Sequence, residues 1–444
     1  SPQWQWFWEF ITYAKKRHIR LWMAAIREVD PVRHIQFYRG GRGGAYEAAV
    51  PLLRDNGSFH DEGGPFYYQR ACESMSLLGG VPYTGECHQY TPFSKGHVDA
   101  SFFYGNQYDS GWFWLWRWGA IRYHDRRFKH SFPQTMEHIR ASRSHFREWT
   151  QARADNPQVL VFGSRADKML GQEKRLFYHM ITGIRDFNVL YEYHNMPAHF
   201  ANEYTDWVDF GAFNVVFVNG EIMTADAVDR VVSAAENGQK IVIIGNAGRY
   251  CPERPDERNL LKGALQGMPN VRFIGSREDA PPMDPPVFFA RKAFSADTIR
   301  ETMEWAGVTR PVRATAPEFD CRLRQAGNST DRYVAVFRKY PSGYTFIWND
   351  DEEIEKKHKE ENAWQELVYR EWGFSMVSGE FLGYRATDVE VADLPPGRWR
   401  VMKIHREPRQ VGIYAAEAGR ITFETDLATA GELQLFRLEK MGSR

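Results

Sequence analysis

The chain has 444 residues in which 57 Lys and Arg balance 57 Asp and Glu, so no net field draws it to nucleic acid or to an anionic membrane. That length implies two to four domains rather than one core. The four cysteines, Cys72, Cys87, Cys251 and Cys321, are scattered without CxxC or Cys/His ligand spacing, which argues against structural zinc and a disulfide framework and predicts free thiols.

Residues 1–20 lack the apolar core and cleavage pattern of a signal peptide, and no apolar run reaches the roughly 18 residues that a membrane helix needs. A soluble chain is expected, cytoplasmic or periplasmic/secreted, with the compartment unassigned. The sequence opens Ser-Pro-Gln-Trp without a methionine and is inside an amphipathic helical pattern by Phe7, which reads as an internal start. Aromatic residues make up 15% of the chain; their flat faces suit sugar rings as well as cores and interfaces.

From Trp4 to Glu28, Phe7, Phe10, Ile11, Ala14, Trp22 and Ile26 recur at three- and four-residue spacing, which predicts a helix with one buried face, ended by Asp30-Pro31. VRHIQFY (32–38) reads as a buried strand and RGGRGG after it as a loop. A helix is expected over 65–78, then the short strand VPYTG (81–85). A helix in about 96–109 leads to WFWLWR (112–117), a near-continuous apolar strand, and a further helix covers about 132–150. This region is a run of α/β units containing three strands.

Alternation restarts after Asn156-Pro157 with QVLVFG (158–163), a helix near 173–184, FNVLYEY (187–193) and FNVVFV (213–218). A helix at 225–237, capped by Thr224 and Gly238, follows with Val228, Val231, Val232 and Ala235 inward. KIVIIG (240–245), a helix near 256–266 and VRFIG (271–275) complete five strands, the pattern of a doubly wound, flavodoxin-like layer. Its first loop, GSRADKMLGQ, holds neither GxGxxG nor a P-loop, so no phosphate cradle is supported.

Past the Pro-rich DAPPMDPP (279–286), the runs RYVAVFRKY, GYTFIWND, RWRVMKIH, QVGIYAA, RITFETD and ELQLFRLEK are bounded by Gly, Pro, Asn and Asp, which predicts a β-sandwich. The charged stretch 350–367 is expected to be a solvated helix or excursion. The domains are placed at 1–153, 154–312 and 313–444.

In an α/β barrel, functional groups gather at the carboxyl ends of the strands. Arg39 follows VRHIQFY, with Asp61 and Glu62 later in the same connection. Glu86 and His88 follow VPYTG in GVPYTGECHQYTP, and WFWLWR carries Trp116-Arg117 into Trp118. Together these are the parts for glycoside hydrolysis, in which two carboxyl groups roughly 5–5.5 Å apart flank the sugar when configuration is retained. Arg117 or His88 beside Glu86 would favour its ionised form. Glu62 is either a second active-site carboxylate or an ordinary polar-loop glutamate. His60 and His88 read as hydrogen-bond partners rather than metal ligands, since no third ligand is spaced with them. Trp112, Trp114, Trp116 and Trp118 share one strand face, with Trp116 and Trp118 nearest the end where a sugar would lie. Arg39 and Arg42 suit an acidic or sulfated glycan, or are solvated loop arginines.

On these residues the sequence resembles the family 42 β-galactosidases and their relatives in clan A of the glycoside hydrolases, in the order barrel, flavodoxin-like layer, small β-domain. GVPYTGECHQYTP is similar to the family's seventh-strand context of small residue, Glu and Thr-Pro, with Glu86 in the nucleophile's place. Trp116-Arg117 and Tyr123-His124 resemble the eighth strand's Trp-Arg and aromatic-His pairs at shorter spacing. Arg122 stands near the position where the family has a glutamate, which implies different contacts to the sugar hydroxyls. The resemblance makes VRHIQFY strand six and places the first five strands, with the clan's acid/base glutamate, outside this chain. The missing barrel half would be another polypeptide, lost by cleavage, or encoded before Ser1. A homotrimer is implied as well, because the family's middle layer packs between subunits; a structural spacer is the plainer alternative.

The expected fold is therefore α/β, with a partial (β/α)8 barrel of strands six to eight, a flavodoxin-like domain and a carboxyl-terminal β-sandwich. The expected function is that of a retaining β-glycosidase with Glu86 as nucleophile. His60, His88, Trp116, Arg117, Trp118 and His124 would contact the carbohydrate; no cofactor, metal, nucleic acid or membrane is implied. The alternatives are a non-catalytic carbohydrate-binding or assembly subunit with a degenerate barrel, and an enzyme with Glu62 opposite Glu86.

Overall fold

A helix of 28 residues, α1 (Pro2–Val29), opens the chain in the computed structural model. The structure describes residues 2–39, 47–54, 57–61, 74–75, 78–81, 83–85, 148–149, 152–154, 158–164, 166, 198–275, 296–316, 319–327, 329–338, 384–405, 407–428 and 432–442. They fall in two compact units, one of Ser1–Thr84, Pro157–Pro282 and Ala290–Thr309, the other of Gly85–Asn156, Met283–Phe289 and Arg310–Arg444.

The expected extent of α1 agrees with the structure, but the expected buried face does not. Ile19 is buried and Ala14 and Ile26 are half-buried, whereas Phe10 and Trp22 are 64% and 63% exposed. Periodicity identifies an apolar face without saying what covers it.

After α1 come β1 (Ile35–Arg39), a 3-10 helix at Glu47–Leu53, β2 (Gly57–Asp61) and β3 (Tyr83–Gly85), in a sheet of order β1-β2-β3. β1 and β2 are parallel, in register from Ile35 opposite Gly57 to Arg39 opposite Asp61. This corrects the sequence reading, which took Asp61 as part of a connection between VRHIQFY and VPYTG. That connection contains a strand of its own, so on a count in which β3 is the seventh strand, β1 is the fifth and not the sixth. GSFHD escaped notice because it is polar. Its buried Ser58 is satisfied by His34, whose Nε2 lies 2.8 Å from the Ser58 hydroxyl. Most of the helix expected over 65–78, and those over 96–109 and 132–150 with the strand 112–117, lie outside the described residues, apart from helical pairs at 74–75, 78–79 and 148–149.

Beyond the two-residue β4 (Arg153–Ala154) lie five strands: β5 (Val159–Gly163), β6 (His199–Asn202), β7 (Val215–Val218), β8 (Ile241–Ile244) and β9 (Val271–Ile274). They form one parallel sheet of order β6-β5-β7-β8-β9. Taken in chain order this is second-first-third-fourth-fifth, the arrangement of flavodoxin-like sheets. The second strand is His199–Asn202; FNVLYEY, expected in that role, lies outside the described residues. Apolar runs such as VVFV and IVII are buried on both faces, as a parallel sheet covered by helices requires. One covering helix is α2 (Ala225–Glu236), where the Thr224 hydroxyl accepts the Ala227 amide at 3.3 Å and Gly238 follows with φ +87°. Val228, Val231 and Ala235 of α2 pack into the core with Leu160, Phe162, Val216 and Ile243. α3 (Leu260–Leu265) and α4 (Ala296–Ala306) are further helices of this region, and the helix expected near 173–184 lies outside the described residues.

The remaining strands are β10 (Val312–Ala314), β11 (Phe319–Gln325), β12 (Arg332–Arg338), β13 (Asp388–Val391), β14 (Arg398–Lys403), β15 (Arg409–Ala415), β16 (Ile421–Glu424) and β17 (Leu433–Lys440). They make two antiparallel sheets, β10-β13-β16 and β15-β14-β17-β12-β11-β4. Val389, Trp399, Val334 and Phe436 belong to one shared core. Each expected run from RYVAVFRKY to ELQLFRLEK contains one of these strands, except GYTFIWND, which with residues 350–367 lies outside the described residues. β11 was harder to foresee because FDCRLRQ alternates Phe319, Cys321 and Leu323 with Asp320, Arg322 and Arg324, and both sets are buried. Arg324 donates to the Trp149 carbonyl at 3.0 Å and lies 4.2 Å from that indole's ring centroid. No helix among the described residues is long and apolar enough to cross a membrane.

Candidate active site

The candidate site depends on how β2 and β3 are held. Val50, Leu53, Met75 and Val81, from the segments around them in the chain, are buried. The chain reaches β3 through Gly79-Gly80, and both glycines are needed. A Cβ on Gly79 would lie 2.4 Å from Val50 Cγ1, and Gly80 has φ +66°. Arg54 Nε donates to the Gly79 carbonyl at 2.6 Å, tying the end of the 3-10 helix to this turn. The approach to β3 is thus fixed by close backbone packing and a charge-assisted hydrogen bond.

At the carboxyl ends, Arg39 and Asp61 are Cα partners on neighbouring strands. His60 lies within β2, with Tyr38 as its partner on β1. Glu62 follows the last residue of β2 in the chain and Glu86 follows the last residue of β3. Glu62, Glu86, His88, Trp116, Arg117, Trp118 and His124 lie outside the described residues, as does the His60 side chain.

A second feature ties this region to the doubly wound sheet. Ser74 Oγ accepts the Phe200 amide at 2.6 Å and lies 2.9 Å from His199 Nδ1. This arrangement suits a neutral imidazole accepting the serine proton. Complete burial holds His199 down at about 3, well below an ordinary histidine. Sequence reading missed His199, since its partner stands far away in the chain.

A doubly wound sheet binds ligands where its strand order reverses, here between the carboxyl ends of β5 and β7. Gly220, just beyond β7, has φ +137°, and a Cβ there would lie 2.3 Å from Ser164 Cβ. The Ser164 hydroxyl lies 2.6 Å from both Glu203 Oε1 and the Ile222 carbonyl. The glycine serves a close contact between two loops. Among the described residues no three His, Cys, Asp or Glu side chains are grouped to hold a metal ion.

No protein-family model matches the sequence, and no curated protein matches it. Solved structures do. Gan42B, a GH42 β-galactosidase from G. stearothermophilus, aligns with a TM-score of 0.60 and 11% identity over 98% of this chain and 68% of its own. A catalytic mutant of the same enzyme, with one glutamate changed to alanine, gives a TM-score of 0.61. The β-galactosidase from Rahnella sp. R3 aligns at 0.59 with 9% identity, over 98% of this chain and 68% of that enzyme. This chain spans about two thirds of the length of these enzymes. What they share with it is a fold: the mixed α/β architecture described above is that of GH42 β-galactosidase structures.

Proposed function

We propose that this chain is the carboxyl-terminal portion of a retaining β-glycosidase that hydrolyses an oligo- or polysaccharide. The observation that carries the reading is that β3 ends at Gly85, the residue before Glu86 in the sequence, in a fold similar to that of an enzyme with a catalytic glutamate. Glu86 attacks the anomeric carbon and displaces the leaving oxygen, forming a glycosyl-enzyme that water then hydrolyses. A second carboxyl group, from outside residues 1–444, protonates the leaving oxygen and later deprotonates the water. Arg117 and His88 favour the ionised nucleophile, Trp116 and Trp118 stack on the sugar, and His60 and His124 bond to its hydroxyls. The doubly wound layer packs between the subunits of a homotrimer.

Glu86→Gln in the complete protein is expected to lower kcat for aryl β-glycosides by at least roughly 1,000-fold with KM little changed. Unchanged turnover would sink the assignment. One observation favours a second reading, in which Glu62 is the acid/base: it follows β2, the neighbour of β3 in the sheet. In that case Glu62→Gln should slow substrates with poor leaving groups far more than activated aryl glycosides, because only the former need the proton. Equal rates on both substrate types for this variant and the parent would remove it.

A further inference from the structure

The loops that leave the carboxyl ends of β5, β6 and β7 meet at one side chain. Ser164, just beyond β5, is fully buried; its Oγ lies 2.6 Å from Glu203 Oε1, beyond β6, and 2.6 Å from the Ile222 carbonyl, beyond β7. A hydroxyl has one proton to give, and a carbonyl only accepts. That proton cannot lie in line with two oxygens at once, so an ionised Glu203 would leave one close oxygen pair without a proton between them. The count closes when Glu203 carries a proton of its own. Its carboxyl then donates to Ser164 Oγ, Ser164 donates to the Ile222 carbonyl, and both bonds have an ordinary O–H···O length.

This joint reaches beyond its three residues. Gly220, with no Cβ, lets the loop after β7 press on Ser164, and the Gly248 amide donates to the Gly220 carbonyl at 2.8 Å, which adds the loop after β8. From Glu203 the chain runs on to Asp206, which pairs with Lys16 of α1 at 3.7 Å. Trp207 follows, and its Cη2 lies 3.5 Å from the place a Cβ on Gly79 would take. The loop that Glu203 begins is thus the one that α1 and the turn before β3 touch.

We propose that Glu203 keeps a proton at neutral pH, and that Glu203, Ser164 and Ile222 form a proton-dependent clasp that opens as the pH rises. The charged groups on the neighbouring loops and on α2 have partners of their own. Arg249 pairs with Glu221 at 3.1 Å and lies over Tyr250, Arg254 pairs with Asp229, and Glu253 accepts from Cys251 and the Ala225 amide. Arg230 donates to the Thr205 and Val208 carbonyls, and Arg165, Asp167 and Lys168 follow Ser164 in the sequence. A carboxyl bonded through its neutral form binds its proton more tightly folded than unfolded. Its contribution is therefore full below the ordinary glutamate value of about 4.3 and declines as the pH rises, until the proton leaves the folded chain. Opening frees the loop after β6 and loosens its contacts with Lys16 and Gly79. None of this depends on the role of Glu86.

Infrared difference spectra of the parent against Glu203→Gln at pH 7 should show the carbonyl band of a protonated carboxyl in the parent alone, and Ser164→Ala should shift that band. The Gln amide donates to Ser164 as the acid does but cannot titrate. From pH 7 to 8.5, where His199 is largely neutral folded or unfolded, the parent's unfolding constant should rise at least roughly 5-fold more than that of Glu203→Gln. At pH 8.5 the amides of 221–224 should exchange faster in the parent than in Glu203→Gln, with those of Val215–Val218 alike in both. The proposal is overturned if the band is absent at pH 7, or if the two unfolding constants change alike with pH. It is overturned too if Glu203→Gln is the less stable at pH 8.5 or does not fold, as expected of an ionised Glu203 held by a cation such as Arg165.

Discussion

The doubly wound layer and the region from α1 to β3 are built from the same helix and strand vocabulary, yet they meet the demand for burial in opposite ways. Every side chain of β5, β6, β7 and β8 is buried, and α2 turns Val228, Val231 and Ala235 onto that sheet. α1 is more than twice as long as α2 and holds its aromatic stripe out to solvent. An amphipathic pattern therefore establishes that a face is apolar and leaves open whether its cover lies in the same chain.

The contrast breaks most sharply at Val231. Val231→Asp places a carboxylate in the core of the layer with no partner, at an expected cost above about 4 kcal/mol and with loss of the cooperative thermal transition. A shift of only a few degrees would mean that the layer is not packed as described.

Acid should act on the same layer through His199. A free imidazole takes up its proton near pH 6.5, whereas the buried one holds off until about 3. Between those values the unfolded chain binds the extra proton, so stability is complete above pH 6.5 and falls as the pH drops. The slope is about 1.4 kcal/mol per pH unit. Denaturant titrations at pH 7, 5.5 and 4.5 measure it, and a His199→Phe variant should lose this component of the acid sensitivity.

Gly79→Ala probes the less self-contained side. Its Cβ would press on Val50, a stiff β-branched neighbour, at a cost of roughly 1–3 kcal/mol. On the glycosidase reading kcat should fall with it, because β3 carries Glu86 into place. Val50→Ala in the same chain should return part of both losses. The smallest effect is expected on α1, where Leu21→Lys in the chain produced alone should change stability by less than about 0.5 kcal/mol. A larger loss would show that this face is already covered.

Much of the doubly wound layer was legible because its strands are short β-branched runs and because Thr224 and Gly238 mark the two ends of α2. What escaped was polar and long-range. GSFHD carries one large apolar residue, and its buried serine shares a hydrogen bond with His34. HFAN became the second strand because Ser74, from a distant part of the chain, satisfies His199. That β3 ends at Gly85 could be read from VPYTG, since a strand end is a local property. That Glu62 follows the neighbouring strand could not be read, because it depended on recognising β2. For α1 the period was right and the cover was wrong, since Phe10 and Trp22 carry the periodicity without being buried.

The Ser74–His199 contact also sets a clock. Its partners stand 125 residues apart, and a ribosome adding roughly 5–20 residues per second takes roughly 6–25 s to deliver the second after the first. Through that interval the stretch before β3 is already synthesised and lacks the imidazole and the Phe200 amide that will hold it. The region from α1 to β3 gains this fastening only when the edge strand of the next layer has emerged.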